Sequence, residues 1–287
     1  MLTVRNSICW IGLCLLAAVL AASPAQAADE IGWKDLKPDL FGERPIEDGA
    51  DLVKLEIPSR PQDAGLVPVG ISMLRPQTED WRIETITLVV DRNPVPLAVV
   101  FRLGAEAGIS RIATRIRIDQ YSDVRVIAET GDGRLYMVSQ FVKATGGCSA
   151  PAVSGSGEDA LAQLGRMRLR QHAIETGDAY PARTPSSRSL VLQIRHPNHS
   201  GFQKDPMQGY FIPAHFVDTI SIKERGKPVL SVEGGISLSE NPSIRFDFVP
   251  RGGSAIRVHA EDSDGNIFEK SWPLQSFLQH DSALRHD

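Results

Sequence analysis

Short apolar runs separated by turn residues dominate the pattern of the chain. Residues 111–118 alternate with a period of two, which turns one face of a strand to the core and the other to water. Gly, Pro, Asn and Asp bound most of the runs, and helical periodicity is scarce. The pattern predicts strands at 52–57, 66–74, 83–90, 97–103, 112–118, 124–128 and 135–142, and again at 190–194, 211–212, 219–222, 229–232, 244–249, 256–260 and 267–270.

This distribution indicates an all-β protein with two immunoglobulin-like β-sandwich domains joined by a linker. Between the two groups of strands, residues 149–187 are small, polar and rich in Pro and Gly, as in a linker. Within the linker, 158–164 is compatible with a short helix and 166–170 with a leading strand of the next domain. We therefore expect a first sandwich over 28–148, the linker over 149–187 and a second sandwich over 188–287.

The N-terminus has the pattern of a cleavable secretory signal peptide over residues 1–27. Arg5 precedes an apolar run, and Ala25-Gln26-Ala27 forms a small-residue cleavage site. The alternative is an uncleaved transmembrane anchor, but the run is shorter than the roughly 20 residues that a bilayer span needs. We expect export to the periplasm, with no membrane attachment after cleavage.

Cleavage would remove two of the three cysteines and leave Cys148 as the only thiol of the mature chain. A lone cysteine in an oxidising compartment suggests a free reactive thiol or an intermolecular disulfide. The alternative is a structural role, because free cysteine is often buried as a small apolar residue. Gly146 and Gly147 precede Cys148 in the run KATGGCSAP. We interpret them as a flexible arm that presents an accessible thiol.

Other chemistry finds little support in the sequence. His196 and His199 are separated by Pro197 and Asn198, which argues against a helical metal-binding pair, and the run 262–265 fits a hairpin turn better than a calcium loop. The phosphate-binding glycine motifs and the serine-hydrolase motif are missing. The formal net charge of −4 gives no reason to expect a nucleic-acid partner. We expect no cofactor, no metal and no enzymatic turnover.

Several runs resemble a known pair of proteins in order. DRNP (91–94), RIR (115–117), DGRLY (132–136) and TGGC (145–148) resemble SoxY, and IRHPNHSG (194–201), KD (204–205), GYFIP (209–213), ISLSENP (236–242) and DSDG (262–265) resemble SoxZ. The whole chain is similar to the fused SoxYZ-like carriers that accompany quinoprotein dehydrogenases. Here Cys148 is followed by Ser149, Ala150 and Pro151 and then by a second domain, whereas the SoxY cysteine lies in a free C-terminal tail.

The resemblance implies a carrier used in thiosulfate oxidation and related sulfur chemistry. Cys148 would be the point of covalent attachment for a sulfur intermediate or a related small group, and Gly146 and Gly147 the arm. The SoxY-like and SoxZ-like halves would pack within one chain, and the partners would be a Sox-type cytochrome or hydrolase, or a pyrroloquinoline-quinone (PQQ) dehydrogenase. Two alternatives remain open: an immunoglobulin-like accessory module that docks on such a dehydrogenase without covalent cargo, and a homodimer linked through Cys148.

Overall fold

A computed structural model describes residues 32–151, 162–172, 184 and 186–274. The predicted signal peptide lies outside the described residues, as does most of the helix predicted at 158–164, and residues 162–165 form a turn. None of the described residues belongs to a helix with the length and hydrophobicity that a bilayer span requires.

Strands account for most of the regular secondary structure of the described residues. One nine-residue helix, α1 (Trp33–Phe41), precedes them. The fifteen strands are β1 (Ile46–Asp48), β2 (Val53–Glu56), β3 (Val67–Met73), β4 (Ile83–Val90), β5 (Leu97–Leu103), β6 (Arg111–Ile116), β7 (Ser122–Thr130), β8 (Leu135–Val142), β9 (Met167–His172), β10 (Arg188–Ile194), β11 (Val217–Glu224), β12 (Lys227–Glu233), β13 (Ser243–Phe248), β14 (Ala255–Asp262) and β15 (Ile267–Pro273).

The strands form two sheets, and each sheet contains strands from both halves of the chain. The larger sheet has nine strands in the order β1-β8-β7-β4-β5-β12-β11-β14-β15, and the smaller has six in the order β2-β3-β6-β13-β10-β9. Strands β1 to β8, the N-terminal half, thus supply one end of each sheet, and β9 to β15, the C-terminal half, supply the other. Each half is a sandwich, which confirms the predicted all-β fold with two immunoglobulin-like sandwiches.

The two sandwiches are joined edge to edge. In the larger sheet β5 pairs antiparallel with β12, with Phe101 opposite Val232. In the smaller sheet β6 pairs antiparallel with β13, with Ile112 opposite Phe246. Buried side chains from both sheets and both halves belong to one hydrophobic cluster. An edge strand leaves backbone N–H and C=O groups unpaired. By pairing with two edge strands of the other half, each half satisfies these groups.

Most predicted strands are found within one to three residues of their expected bounds. The strand predicted at 211–212 is wrong: Phe211 forms only an isolated bridge with Lys204. The sequence pattern also missed α1 and β1. Helix α1 carries an internal proline, and β1 is a three-residue strand that pairs parallel with β8, so neither is long enough to show a clear period. The domain boundaries at 148 and 187 stay predictions.

The close pairing of the two halves at their junction predicts that a substitution there lowers the free energy of unfolding. A Cβ atom added at Gly104 would lie 2.0 Å from the carbonyl oxygen of Pro228, so Gly104→Ala must push β5 and β12 apart. We expect the free energy of unfolding, measured by urea denaturation, to fall by about 1–3 kcal/mol. Gly235→Ala is the matched control because no atom lies within 4 Å of the added Cβ. Equal effects of the two substitutions would contradict a tightly paired junction.

Candidate functional site

Cys148 lies in a docked loop after β8, which we call the cysteine loop (residues 144–151). Its thiol is fully buried. The loop is held along the chain that follows β6: Gly146 N–H donates to the carbonyl oxygen of Asp119 at 2.7 Å, and Gly147 N–H to that of Ile118 at 2.9 Å. The backbone N–H of Cys148 donates to the Asp119 carboxylate at 3.2 Å. These bonds fix the loop on the end of the N-terminal sandwich.

The two glycines serve this docking. A Cβ atom at Gly147 would lie 2.1 Å from the carbonyl oxygen of Ala64 and 2.6 Å from that of Ile118, so only glycine permits the close approach. Gly146 has a φ of +78°, a left-handed conformation that glycine adopts without strain. The structure therefore places both glycines in a closed loop. That they act as a flexible arm during transfer stays a prediction.

The C-terminal half covers the cysteine loop from the other side. The covering segment, which we call the histidine loop (residues 195–203), follows β10. The Ser200 hydroxyl donates a short hydrogen bond to the carbonyl oxygen of Cys148, and Gln203 Nε2 donates to that of Ala150 at 2.8 Å. The sequence led us to expect an accessible thiol, but the Cys148 thiol is enclosed between the two halves. Polar side chains of the C-terminal half donate hydrogen bonds to carbonyl oxygens of the cysteine loop and so cover it.

A buried arginine links these two loops. Arg117 Nη1 donates to the carbonyl oxygen of Gly147 at 3.1 Å, and Nη2 donates to that of Asn198 at 3.2 Å. Asn93 braces the same segment, since its Nδ2 group donates to the Arg117 carbonyl oxygen at 2.8 Å. Burial lowers the pKa of Arg117 from its ordinary value. A single guanidinium group therefore holds one loop from each half of the chain.

The surroundings of Cys148 keep its thiol protonated. Burial, together with the nearby Asp119 carboxylate, raises the pKa of the thiol to about 12, while Arg117 acts in the opposite direction. Because the thiolate is the nucleophile, the thiol in this closed conformation is unreactive at neutral pH. Closure thus protects the sulfur of Cys148.

His196, on the histidine loop, forms a cluster with His215 and Asp262, and its neighbour His199 is not part of it. His215 Nε2 lies 2.9 Å and His196 Nε2 lies 3.4 Å from Oδ2 of Asp262, and the two imidazole rings meet edge to face. These three side chains offer ligand atoms within 4.8 Å of one another, which suits a metal site by distance alone. The sequence interpretation weighed His196 with His199 and did not connect it with His215 or Asp262.

Hydrogen bonding favours a proton network over a metal in this cluster. His196 Nδ1 accepts the backbone N–H of Asn198 at 3.0 Å, so the neutral ring carries its proton on Nε2. A protonated Nε2 donates to Asp262 and has no lone pair for a metal. Asn266 also donates to the same carboxylate. The cluster stabilises the base of the histidine loop, and the 262–265 run forms the hairpin turn between β14 and β15, as predicted.

The structure thus adds four side chains to the three residues singled out in the sequence. Arg117, Asp119, Ser200 and Gln203 contact the cysteine loop. The period-two alternation of residues 111–118 predicts that Arg117 faces water. Arg117 is instead buried, because the cysteine loop and the C-terminal half cover it, whereas Asp119 is half-buried.

Comparisons with known proteins follow the same division of the chain. Residues 37–148 match the family model of the sulfur oxidation protein SoxY, and residues 182–273 match that of the sulphur oxidation protein SoxZ. The chain joins a SoxY part to a SoxZ part. Its SoxY part ends at Cys148, and its SoxZ part contains the histidine loop. Both halves pack within one chain, as the resemblance implied.

Solved structures and curated proteins add little to this assignment. The sulfur carrier protein SoxY from Chlorobium limicola f thiosulfatophilum is 20% identical over 38% of this chain and 89% of its own, with a TM-score of 0.31. A superoxide reductase (neelaredoxin) variant from Ignicoccus hospitalis is 16% identical over 32% and 78%, with a TM-score of 0.29. No curated protein matches the chain significantly.

The His196 cluster predicts a pH dependence of stability. Burial, with the neighbouring His215, lowers the pKa of His196 from 6.5 to about 4. Below pH 6.5 the unfolded chain takes up a proton that the folded chain refuses, so stability falls as the pH decreases to about 4. The loss attributable to His196 is about 3 kcal/mol. Urea unfolding at pH 7 and pH 4.5 should show it, and His196→Gln should reduce it.

His259→Gln is the control for this measurement, because His259 on β14 lies outside the cluster and its half-exposed side chain contacts Glu269 at the surface. It should leave the pH dependence unchanged. A His196→Gln variant with the same pH dependence as the wild type would show that His196 is not held neutral by burial.

Proposed function

We propose that this SoxYZ protein is a covalent carrier that holds a sulfur intermediate, or a related small group, on the sulfur of Cys148. The carrier presents the group to partner enzymes and performs no turnover itself. The observation that carries the proposal is the position of Cys148: the SoxY match ends at this residue, in a loop held by hydrogen bonds between the two halves. Such a loop can open without unfolding either sandwich.

The geometry requires that loading be preceded by opening. The Cys148 thiol is fully buried and its pKa is about 12, so neither a partner nor a substrate reaches a reactive sulfur in the closed conformation. The side-chain contacts that close the loop come from Arg117, Asp119, Ser200 and Gln203. A hydrogen bond contributes about 0.5–1.5 kcal/mol net, or about 1.5–3 kcal/mol with a charged group, so contacts with a docked partner can offset the loss of these four.

Opening would leave the cysteine loop tethered at both ends. β8 lies on one side, and Pro151 with the following linker lies on the other. A partner active site must therefore accept a loop and not a free tail. The opened thiol is exposed to solvent, where its pKa returns toward that of an ordinary cysteine and the thiolate becomes available for attack.

Location and partners belong to the same proposal. The N-terminal pattern of Arg5, an apolar run and Ala25-Gln26-Ala27 supports cleavage of residues 1–27 and release into the periplasm. The SoxY and SoxZ matches support periplasmic sulfur-oxidation enzymes as partners, a Sox-type cytochrome or hydrolase, with a PQQ dehydrogenase as the alternative.

One observation favours a second candidate function. The complete burial of Cys148 suits a structural residue in an accessory binding module that carries no covalent cargo. Replacement by serine separates the two functions in the cell. A carrier loses function in the Cys148→Ser variant, whereas an accessory module keeps it.

The carrier proposal predicts adducts on Cys148. Protein purified without reductant should show, by intact mass, a fraction carrying an added sulfur, thiosulfate or thiol group. Peptide mapping should place the group on Cys148, and reductant should remove it. The Cys148→Ser variant is the control and should show none. If both the wild type and the Gly147→Ala variant, whose loop is loosened, stay unmodified even after incubation with a sulfur donor, the carrier proposal is contradicted.

Closure predicts that loosening the loop increases thiol reactivity. Gly147→Ala places a Cβ atom against the carbonyl oxygens of Ala64 and Ile118 and should shift the loop toward its open form. A strain of about 1–3 kcal/mol corresponds to a rise of roughly 5- to 150-fold in the rate of alkylation by iodoacetamide.

Gly146→Ala is the matched control for this rate, because a Cβ atom there meets only Ser149 Oγ at 3.8 Å. Its φ of +78° adds some strain, so a smaller increase is expected. If the two glycines serve only chain flexibility, the two variants will react at the same rate, and the closed loop will not be the barrier to modification.

A further inference from the structure

Arg117 is a buried cation whose pairing is incomplete. Only 2% of the residue is exposed, and its two terminal nitrogens donate to backbone carbonyl groups. The buried Nε–H group has no acceptor among the described residues. Within the same part of the chain, no carboxylate forms an ion pair with the guanidinium group. A buried charge is costly unless an opposite charge accompanies it, so this arrangement calls for an anion.

The neighbouring acidic groups do not supply that anion directly. Glu240 and Asp63 act on Arg117 through space, but neither forms an ion pair with it within the described part of the chain. The remaining candidate is Cys148, which directly follows Gly147 in the chain. The carbonyl oxygen of Gly147 accepts a hydrogen bond from Arg117 Nη1. With its thiol protonated, however, Cys148 brings no charge in the closed and unloaded protein.

A group attached to the sulfur can bring the charge that the thiol lacks. A strong-acid group such as a sulfonate is ionised at any physiological pH. The guanidinium group has five N–H donors in a planar fork that matches the spacing of oxyanion oxygens. Two of these donors are engaged by the carbonyl oxygens of Gly147 and Asn198, and the Nε–H donor is without an acceptor.

We propose that Arg117 is the positioning residue for the cargo: it holds the negative charge of an anionic group carried on Cys148 and disfavours neutral or cationic groups. The inference rests on the carrier function proposed above and adds the charge class of the cargo. Arg117 would then close the loop through backbone carbonyl groups when the carrier is empty, and stabilise the anionic adduct when it is loaded.

The test compares adducts that differ in charge and share one linkage. Three methanethiosulfonate reagents bear a 2-sulfonatoethyl, a 2-hydroxyethyl or a 2-ammonioethyl group. In each case the Cys148 thiolate attacks the sulfenyl sulfur, a disulfide bond to Cys148 forms, and the S–S bond of the reagent breaks. Methanesulfinate leaves with the bonding electron pair, and the thiol proton passes to solvent. Intact mass of the full chain confirms one adduct per molecule.

Thermal unfolding of each loaded protein provides the readout. The sulfonate adduct should unfold at the highest temperature, the neutral adduct about 2–4 °C lower and the ammonium adduct lower still. In Arg117→Met the three adducts should unfold at the same temperature. Arg117→Lys keeps the charge without the planar fork and should restore part of the difference between the unfolding temperatures of the three adducts. A purely structural role of Arg117 would not produce this difference.

Outcomes separate this inference from the carrier function. If all three reagents modify wild-type Cys148 and the unfolding temperatures do not depend on charge, the role of Arg117 is overturned while the carrier proposal stands. This comparison needs only wild-type protein, so a variant that fails to fold does not prevent it. If none of the reagents modifies Cys148 in the wild type or in Gly147→Ala, the carrier proposal fails and the Arg117 inference fails with it.

Discussion

The hydrogen bonds of one buried guanidinium group connect the cysteine loop with the histidine loop. Arg117 holds the carbonyl oxygens of Gly147 and Asn198, which belong to the SoxY and SoxZ parts respectively. Because a buried charge must keep its partners, neither loop can move without changing the environment of the arginine. The closed state of Cys148 therefore depends on contacts between the two halves and is not a property of the SoxY part alone.

The joined sheets provide the rigid frame for this contact. β5 pairs with β12 and β6 with β13, so the halves meet through backbone hydrogen bonds and a shared core. Motion between the sandwiches would break both ladders, whereas motion of the cysteine loop breaks only a few isolated bonds. In the proposed carrier function, the element that moves lies at the junction and the rest of the fold stays fixed. A carrier of this kind would protect the cargo in one state and present it in the other.

The fold and the site differ in how much of them could be predicted from sequence. The alternation within β6 and β14 shows which strands exist, because the period of a strand is local. Cys148 stands out because it is the sole thiol after a Gly-Gly pair. Arg117, Asp119 and Ser200 do not stand out, since a charged or hydroxyl side chain at a strand end is usually solvated. Their roles arise from segments more than 25 residues apart in sequence.

The sequence by itself determined the all-β class, the two successive sandwiches, the order of SoxY and SoxZ parts and the identity of the candidate thiol. These follow from local periodicity, turn chemistry and short motifs. Only the tertiary structure decided that the sandwiches share both sheets, that Cys148 is enclosed and that Gly147 is needed for close approach to Ala64 and Ile118. A glycine permits both an extended arm and a tight contact, and the choice between them is made by the surfaces that the rest of the chain brings against it.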